Sequence, residues 1–405
     1  MFSQPHQSRS EPHLLTLILV TALSTMTLNM FVPSLVSIAA DLQTDYTLVS
    51  LSVGTYLAAM TIVQLIVGPL SDRIGRRPVL LSGLFIFTLS SLLCALSTNI
   101  WGFLFFRMLQ SAMVAGYVLS MAIVRDTTTE QESASRIGYI SMAMALAPML
   151  GPVLGGVLDG AFGWRSNFYF LSLSGLTLFL WCWFDLGETK KLVANNAADS
   201  SDTLLNLIKE PIFWAYALCT AFSTTTLYIF LTGAPLVAES EFGISPTELG
   251  LYFASGTAGF MFGSFLSGRF ATSSKPVYLM MAGRLVACLG LSVGCLAILF
   301  DVLSAELFFS SIVFVGLGNG LTIPSSNAQT MSIRPNLAGG AVGISGAITV
   351  AIGAPLSMFT GAVLPESGAS TVLLLMMLGV SVLGLLSVIW AWHLQQQQQQ
   401  QQLTG

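Results

Sequence analysis

Long apolar runs separated by short polar connections occupy almost the whole chain. They cover residues 14–39, 48–70, 79–98, 101–123, 137–158, 167–186, 212–237, 248–270, 277–300, 307–331, 338–363 and 370–393. About 20 residues rising 1.5 Å each cross a hydrocarbon core of ~30 Å. The pattern therefore predicts an all-α integral membrane protein with twelve transmembrane helices. Because most connections are short, neighbouring spans must run antiparallel. Residues 188–211 make the one sizeable break, a polar Asn/Ala/Asp/Ser stretch followed by Leu204–Pro211, which reads as a short interfacial helix. The chain thus divides into a cytoplasmic tail (1–13), a six-helix bundle (14–187), a cytoplasmic linker (188–211), a second six-helix bundle (212–394) and a glutamine-rich tail (395–405) read as disordered.

Composition agrees. Only 8% of the 405 residues are charged and 54% are hydrophobic, against roughly 25% charged in a soluble domain. Arg9, Arg73, Arg76, Arg77, Arg125, Arg136, Lys190, Lys191, Lys209, Arg269, Lys275 and Arg334 fall on one side of the predicted topology, and Arg165 alone falls on the other. Basic loops stay cytoplasmic, so both termini are placed there. The first run is too long for a cleaved signal peptide. Cys94, Cys182, Cys219, Cys288 and Cys295 lie inside spans without metal-ligand spacing, and neither a disulfide nor a metal site is expected. No nucleotide-binding loop, histidine cluster or soluble domain supports an enzyme, and nothing points to nucleic acid.

The densest charge cluster lies between spans 2 and 3: Gly68-Pro69-Leu70-Ser71-Asp72-Arg73-Ile74-Gly75-Arg76-Arg77-Pro78. Gly68 allows close helix approach, Asp72 can cap a neighbouring helix or pair with a base, Gly75 permits a tight turn, and Arg76 and Arg77 suit the headgroup region. A degenerate copy returns as Ser267-Gly268-Arg269-Phe270 and Lys275-Pro276-Val277, with Gly268 in place of Asp72. Gly151-Pro152-Val153-Leu154-Gly155-Gly156 in span 5 is likewise echoed by Gly353-Ala354-Pro355 and Gly361 in span 11. Two parallel six-helix repeats with a site between them are a transporter plan.

The segment from Gly68 to Arg77 resembles the signature loop of the major facilitator superfamily. Arg107-x-x-Gln110 in span 4 is similar to that superfamily's span-4 arginine motif, with Ser111 for the usual glycine. Ala147-Pro148-Met149-Leu150-Gly151-Pro152-Val153-Leu154-Gly155-Gly156 resembles its span-5 antiporter motif. Asn29-Met30-Phe31-Val32-Pro33, Gln64 and Ile123-Val124-Arg125-Asp126 narrow the resemblance to the bicyclomycin/chloramphenicol-resistance (Bcr/CflA) branch of drug–proton antiporters. The resemblance implies that Asp72, Arg76 and Asp126, with Gly68, Arg73, Gly75 and Arg77 around them, form a gating relay against span 11. It also implies that Gly151, Pro152, Gly155 and Gly156 shape span 5 where it packs on span 8.

Members of that branch usually carry an aspartate where this chain has Asn29. None of the nineteen acids lies in the middle of a span, whereas Arg107 and Arg284 do lie within spans. Intramembrane ionisable groups are costly and are normally kept for ion pathways. By analogy with the superfamily, the cavity is lined by spans 1, 4, 7 and 10, with Asn29, Arg107, Gln110, Met113, Tyr117, Thr225, Tyr228, Asn319 and Asn327 as candidates. The expected function is export of small amphipathic drugs or metabolites across the bacterial inner membrane by alternating access. It would run as a monomer in the lipid bilayer, without a cofactor and with the proton gradient as its energy source. The alternative is a metabolite or organic-anion transporter of the same fold with weak or no proton coupling. A fixed Arg107 without a nearby carboxylate favours a substrate with a carboxylate or strong acceptor groups.

Overall fold

The structure, a computed structural model, describes residues 12–128, 130–189, 204–270, 274–334, 338–365 and 367–404. Arg9, Lys190 and Lys191 lie outside them. The described residues fold into helices joined by short turns. Span 1 is α1 (Leu14–Asn29), a 3₁₀ turn (Val32–Ser34) and α2 (Leu35–Asp41); span 2 is α3 (Tyr46–Ile74); span 3 is α4 (Arg76–Ala95). Span 4 is α5 (Ile100–Leu109), a second 3₁₀ turn (Gln110–Met113) and α6 (Val114–Thr127); spans 5 and 6 are α7 (Glu130–Phe162) and α8 (Arg165–Asp185). The short α9 (Leu204–Ile208) then precedes α10 (Pro211–Ser240), α11 (Pro246–Phe270), α12 (Pro276–Leu299), α13 (Ala305–Ser332), α14 (Ala338–Val363) and α15 (Ala369–Thr404). Among the described residues eleven spans are long and apolar enough to cross a membrane. The twelfth is α7, 33 residues long, whose Leu150–Phe162 piece is itself apolar.

Local chemistry sets the helix starts. Pro211, Pro246 and Pro276 occupy first helical positions, where a missing N–H costs nothing. Ser245 and Glu248 cap α11 reciprocally: the Glu248 amide donates to Ser245 Oγ (3.3 Å) and the Ser245 amide to Glu248 Oε2 (3.0 Å). Asn99 accepts from the Gly102 amide at the start of α5 (2.8 Å).

The start of α4 is different. Asp72 does not cap α4; its carboxylate pairs with Arg76 one turn later. The amides of Arg76 and Arg77 instead donate to Glu188 (2.9 and 3.4 Å), the first residue of the linker. A carboxylate at a helix N-terminus meets both the unpaired donors and the positive end of the dipole. Gly75 makes the junction possible. Its φ of 111° belongs to glycine, and a Cβ there would fall on the Glu188 carboxylate.

The glutamine tail, expected to be disordered, continues α15 to Thr404. Glutamine is a good helix former, so a helix already nucleated in span 12 propagates through it. Gln395 Nε2 also donates to the Tyr216 hydroxyl (2.6 Å).

Candidate functional site

A cavity of about 310 Å³ lies between the two halves, walled by α1 and α7 from the first and by α10, α11 and α13 from the second. Its rings, Tyr228, Phe230, Phe253 and Phe260, all belong to the second half, and Leu28 and Met144 face them from the first. Thr25, Asn29, Thr224, Thr257 and Asn319 supply the polar groups. The wall is therefore apolar with a few neutral donors and acceptors, the usual make-up of a small-molecule site.

Asn29, Tyr228 and Asn319, all candidates from the sequence, lie on this wall. Asn29 ends α1 and spends its Nδ2 on the Thr25 carbonyl (3.3 Å). Asn319 is held from behind, because Arg284 Nη2 donates to its Oδ1 while its own Nδ2 donates to the Ser223 carbonyl (3.0 Å). Arg284 Nε also donates to Thr322 Oγ1 (3.2 Å).

Arg107, Gln110 and Met113 require a correction. All three are buried and lie outside the cavity wall, in the interior of the first half. Arg107 Nη2 donates to the Thr27 carbonyl (2.8 Å) and Nη1 to Gln110 Oε1 (2.5 Å), while Gln110 Nε2 donates to Ser91 Oγ (2.7 Å). The guanidinium carbon sits 4.0 Å from the Phe31 ring centre and 4.3 Å from that of Tyr56. Spans 1 and 4 both leave α-helical geometry here, at Val32–Ser34 and Gln110–Met113. Pro33 has no amide to continue span 1, and Arg107 supplies the donors that accompany the break. Tyr117 and Asn327, both half-buried, and Thr225, fully buried, are also absent from the wall. Phe31, Tyr56, Phe253, Phe260 and Glu188 went unrecognised in the sequence; the seven-residue spacing of Phe253 and Phe260 on one face of α11 was the available signal.

The charge cluster assembles. Arg76 Nη1 lies 2.6 Å from Asp72 Oδ1 and Nε lies 3.0 Å from Asp126 Oδ2. Arg76 Nη1 also donates to Ser71 Oγ (2.5 Å). Arg77 turns to span 6, donating Nη2 to the Trp183 carbonyl (2.8 Å); Arg73 is exposed beside them. Among the described residues, the partners of Asp72, Arg76 and Asp126 lie on spans 2, 3 and 4 and at Glu188 rather than on span 11. A Cβ on Gly68, Gly343 or Gly346 would meet nothing within 4 Å, and Ile62, Leu65, Ile66 and Leu70 on the same part of α3 are exposed.

The opposite ends of these helices are closed together. The Tyr46 hydroxyl donates to the Thr232 carbonyl (2.5 Å), Thr47 Oγ1 to that of Gly361 (3.1 Å) and Thr247 Oγ1 to that of Gly156 (3.0 Å), each bond crossing between halves. Gly156 lies against the Pro246 carbonyl, and a Cβ on Gly250 would stand 2.5 Å from the carbonyl oxygen of Pro152. Gly151 and Gly155, expected to face span 8, face span 1 instead: a Cβ on Gly155 would collide with the Met30 carbonyl. Helical phase explains the split, since Pro152 and Gly156 lie one turn apart on a stripe beside that of Gly151 and Gly155. At the same end Asp159, buried, accepts from Ser37 Oγ (3.0 Å), and Arg165 pairs with Asp41 (2.5 Å).

Comparison with known proteins places these features in a family. Residues 17–358 match the model described as Major Facilitator Superfamily. The chain is 32% identical to an uncharacterized MFS-type transporter, YdgK, of Bacillus subtilis, with 85% of this chain and 87% of the relative covered. It is 26% identical to a bicyclomycin resistance protein homolog of Haemophilus influenzae (88% and 90% covered) and 28% identical to the multidrug resistance protein MdtL of Salmonella typhi (89% and 90% covered). Among solved structures it resembles a bacterial homolog of the human lysosomal transporter Spinster in an inward-facing, occupied conformation, with TM-score 0.79, 19% identity and 96% and 97% covered. It also resembles a D-xylose–proton symporter, with TM-score 0.77, 14% identity and 94% and 96% covered.

Proposed function

The chain belongs to the major facilitator superfamily and is a transporter rather than an enzyme, and we propose that it exports small amphipathic molecules across the bacterial inner membrane by alternating access. The observation that carries this reading is the cavity shared by both halves, sealed by inter-helix contacts at the Tyr46 end while α3 and α14 stand apart at the Asp72 end. With the basic loops in the cytoplasm, this is the inward-facing state, ready to load substrate from inside. Rings and aliphatic side chains with a few neutral polar groups suit amphipathic cargo. The printed names of the bicyclomycin-resistance and multidrug-resistance relatives point the same way.

Exchange for protons is the first reading of the energy source. A second reading, transport with weak or no proton coupling, draws on Asn29: among the described residues the wall carries no titratable carboxylate, and an amide of that shape cannot take up a proton. In both readings Asp72, Arg76 and Asp126 form the relay that would close on span 11 in the other state. Purified protein in vesicles, tested for export of drugs selected by a susceptibility panel in an efflux-deficient host, decides between them. Export that depends on an imposed pH gradient supports exchange. Export that ignores the gradient supports the second reading, and no export with or without it removes the proposal.

A further inference from the structure

The electrostatics of the cavity are set by groups just behind its wall. Among the described residues every polar side chain on the wall is neutral, and no acid stands in the middle of any span. Two guanidiniums lie behind it, both wholly buried: Arg107 donates to the carbonyl of Thr27, next to wall residues Leu28 and Asn29, and Arg284 donates to wall residue Asn319. A guanidinium stays charged in proteins. Its partners here are carbonyls, amides, a hydroxyl and ring faces, none of which carries opposite charge. Arg107 Nε and Arg284 Nη1 are buried with no hydrogen-bond partner. In a low-dielectric interior, such charges act over several ångströms with little screening.

We infer that the central cavity excludes cations, selecting aromatic amphiphiles that are uncharged or anionic over cationic molecules of the same shape. This deepens the export reading and rests on it for the cavity being the transport site. An entering cation would give up its hydration, find no carboxylate and face two like charges. The faces of Tyr228, Phe230, Phe253 and Phe260 would return part of that cost. An anion gains from both guanidiniums without either having to move, and an uncharged ring system loses nothing. Asn29 is the position where a single carboxylate would reverse the balance, because it lies on the wall itself.

Tetraphenylborate and tetraphenylphosphonium share a shape and differ in charge sign. Equilibrium binding of each to purified full-length protein in detergent, referenced to protein-free micelles, reads the selection directly. The borate is expected to bind about tenfold more tightly or better, a difference of one decade in Kd. Asn29→Asp should reduce that ratio by a similar factor, Arg284→Gln should reduce it, and Arg284→Lys should retain it. Should Arg284→Gln not fold, the near-isosteric Asn29→Asp still tests the idea. Phosphonium binding as tight as borate, a ratio unmoved by Asn29→Asp, or no binding of either ion would each overturn it. Charge-selective binding without vesicle transport would instead sink the export reading and leave the selection intact.

Discussion

Arg107 shows how far a motif can be read from a sequence. Its depth in span 4 was legible, because depth follows from counting residues at 1.5 Å each. Its azimuth was not, because the direction a side chain takes depends on what the neighbouring spans offer, here the Thr27 carbonyl and the rings of Phe31 and Tyr56. Asn29 was easier, since a polar residue at a helix end beside Pro33 has few places to go. The geometry makes Arg107 a brace between the breaks in spans 1 and 4 rather than a substrate contact. A lysine keeps the charge but cannot span two ring faces and two acceptors at once. Arg107→Lys is accordingly expected to destabilise the protein by about 2–4 kcal/mol through a lost desolvated cation–π contact and an unpaired buried acceptor. This should appear as a lower melting temperature in detergent, with the Kd for tetraphenylborate unchanged in the folded fraction. A large loss of affinity with normal stability would contradict the brace.

At the scale of elements, the membrane spans were legible because each is a single apolar run bounded by charge or turn residues. The breaks at Val32–Ser34 and Gln110–Met113 were harder to read: Pro33 signals the first, but proline is tolerated inside membrane helices, and the second is written in residues that an unbroken helix also carries. The linker contact of Glu188 with α4 joins residues 112 positions apart and leaves no local trace. Span 5 offers a clean separation of roles within one glycine motif. Gly155 packs inside the first half on Met30, whereas Gly156 packs across the halves on Pro246. Gly155→Ala should therefore lower stability, with a reduced melting temperature and retained preference between conformations. Gly156→Val should leave the bundle intact but oppose closure at the Tyr46 end, raising the labelling rate of a cysteine introduced at Thr247. Equal effects of both substitutions on labelling would refute the division.

For the whole molecule, the two-bundle plan was recoverable because the charge cluster recurs in the second half, and so was the inequality of the copies. The first copy builds an Asp72–Arg76–Asp126 network. In the second, a Cβ on Gly268 would meet nothing within 4 Å among the described residues, and Ser267 shares a hydrogen bond with Ser325 (3.1 Å). The conformational state was not legible, since one sequence serves every state of the cycle. Spin labels at Gly68 and Gly343, both with room for a side chain, should report a long distance as the major population. Tyr46→Phe removes one bond of the closed end and should increase the short-distance population; an unchanged distribution would show that this bond does not bias the equilibrium.

Glu188 is at once the cap of α4 and the point where the chain leaves the first bundle for the second. The tether between the bundles is thus fastened to the same helix end that carries Arg76, so its conformation and that of the charge network are thermodynamically linked. Glu188→Ala removes the fastening directly. Gly75→Ala evicts the same carboxylate by occupying its place. Each should lower the melting temperature and loosen the Arg76 helix end, and the double variant should cost clearly less than their sum. Simple additivity in that cycle would mean that the tether and the network are independent parts.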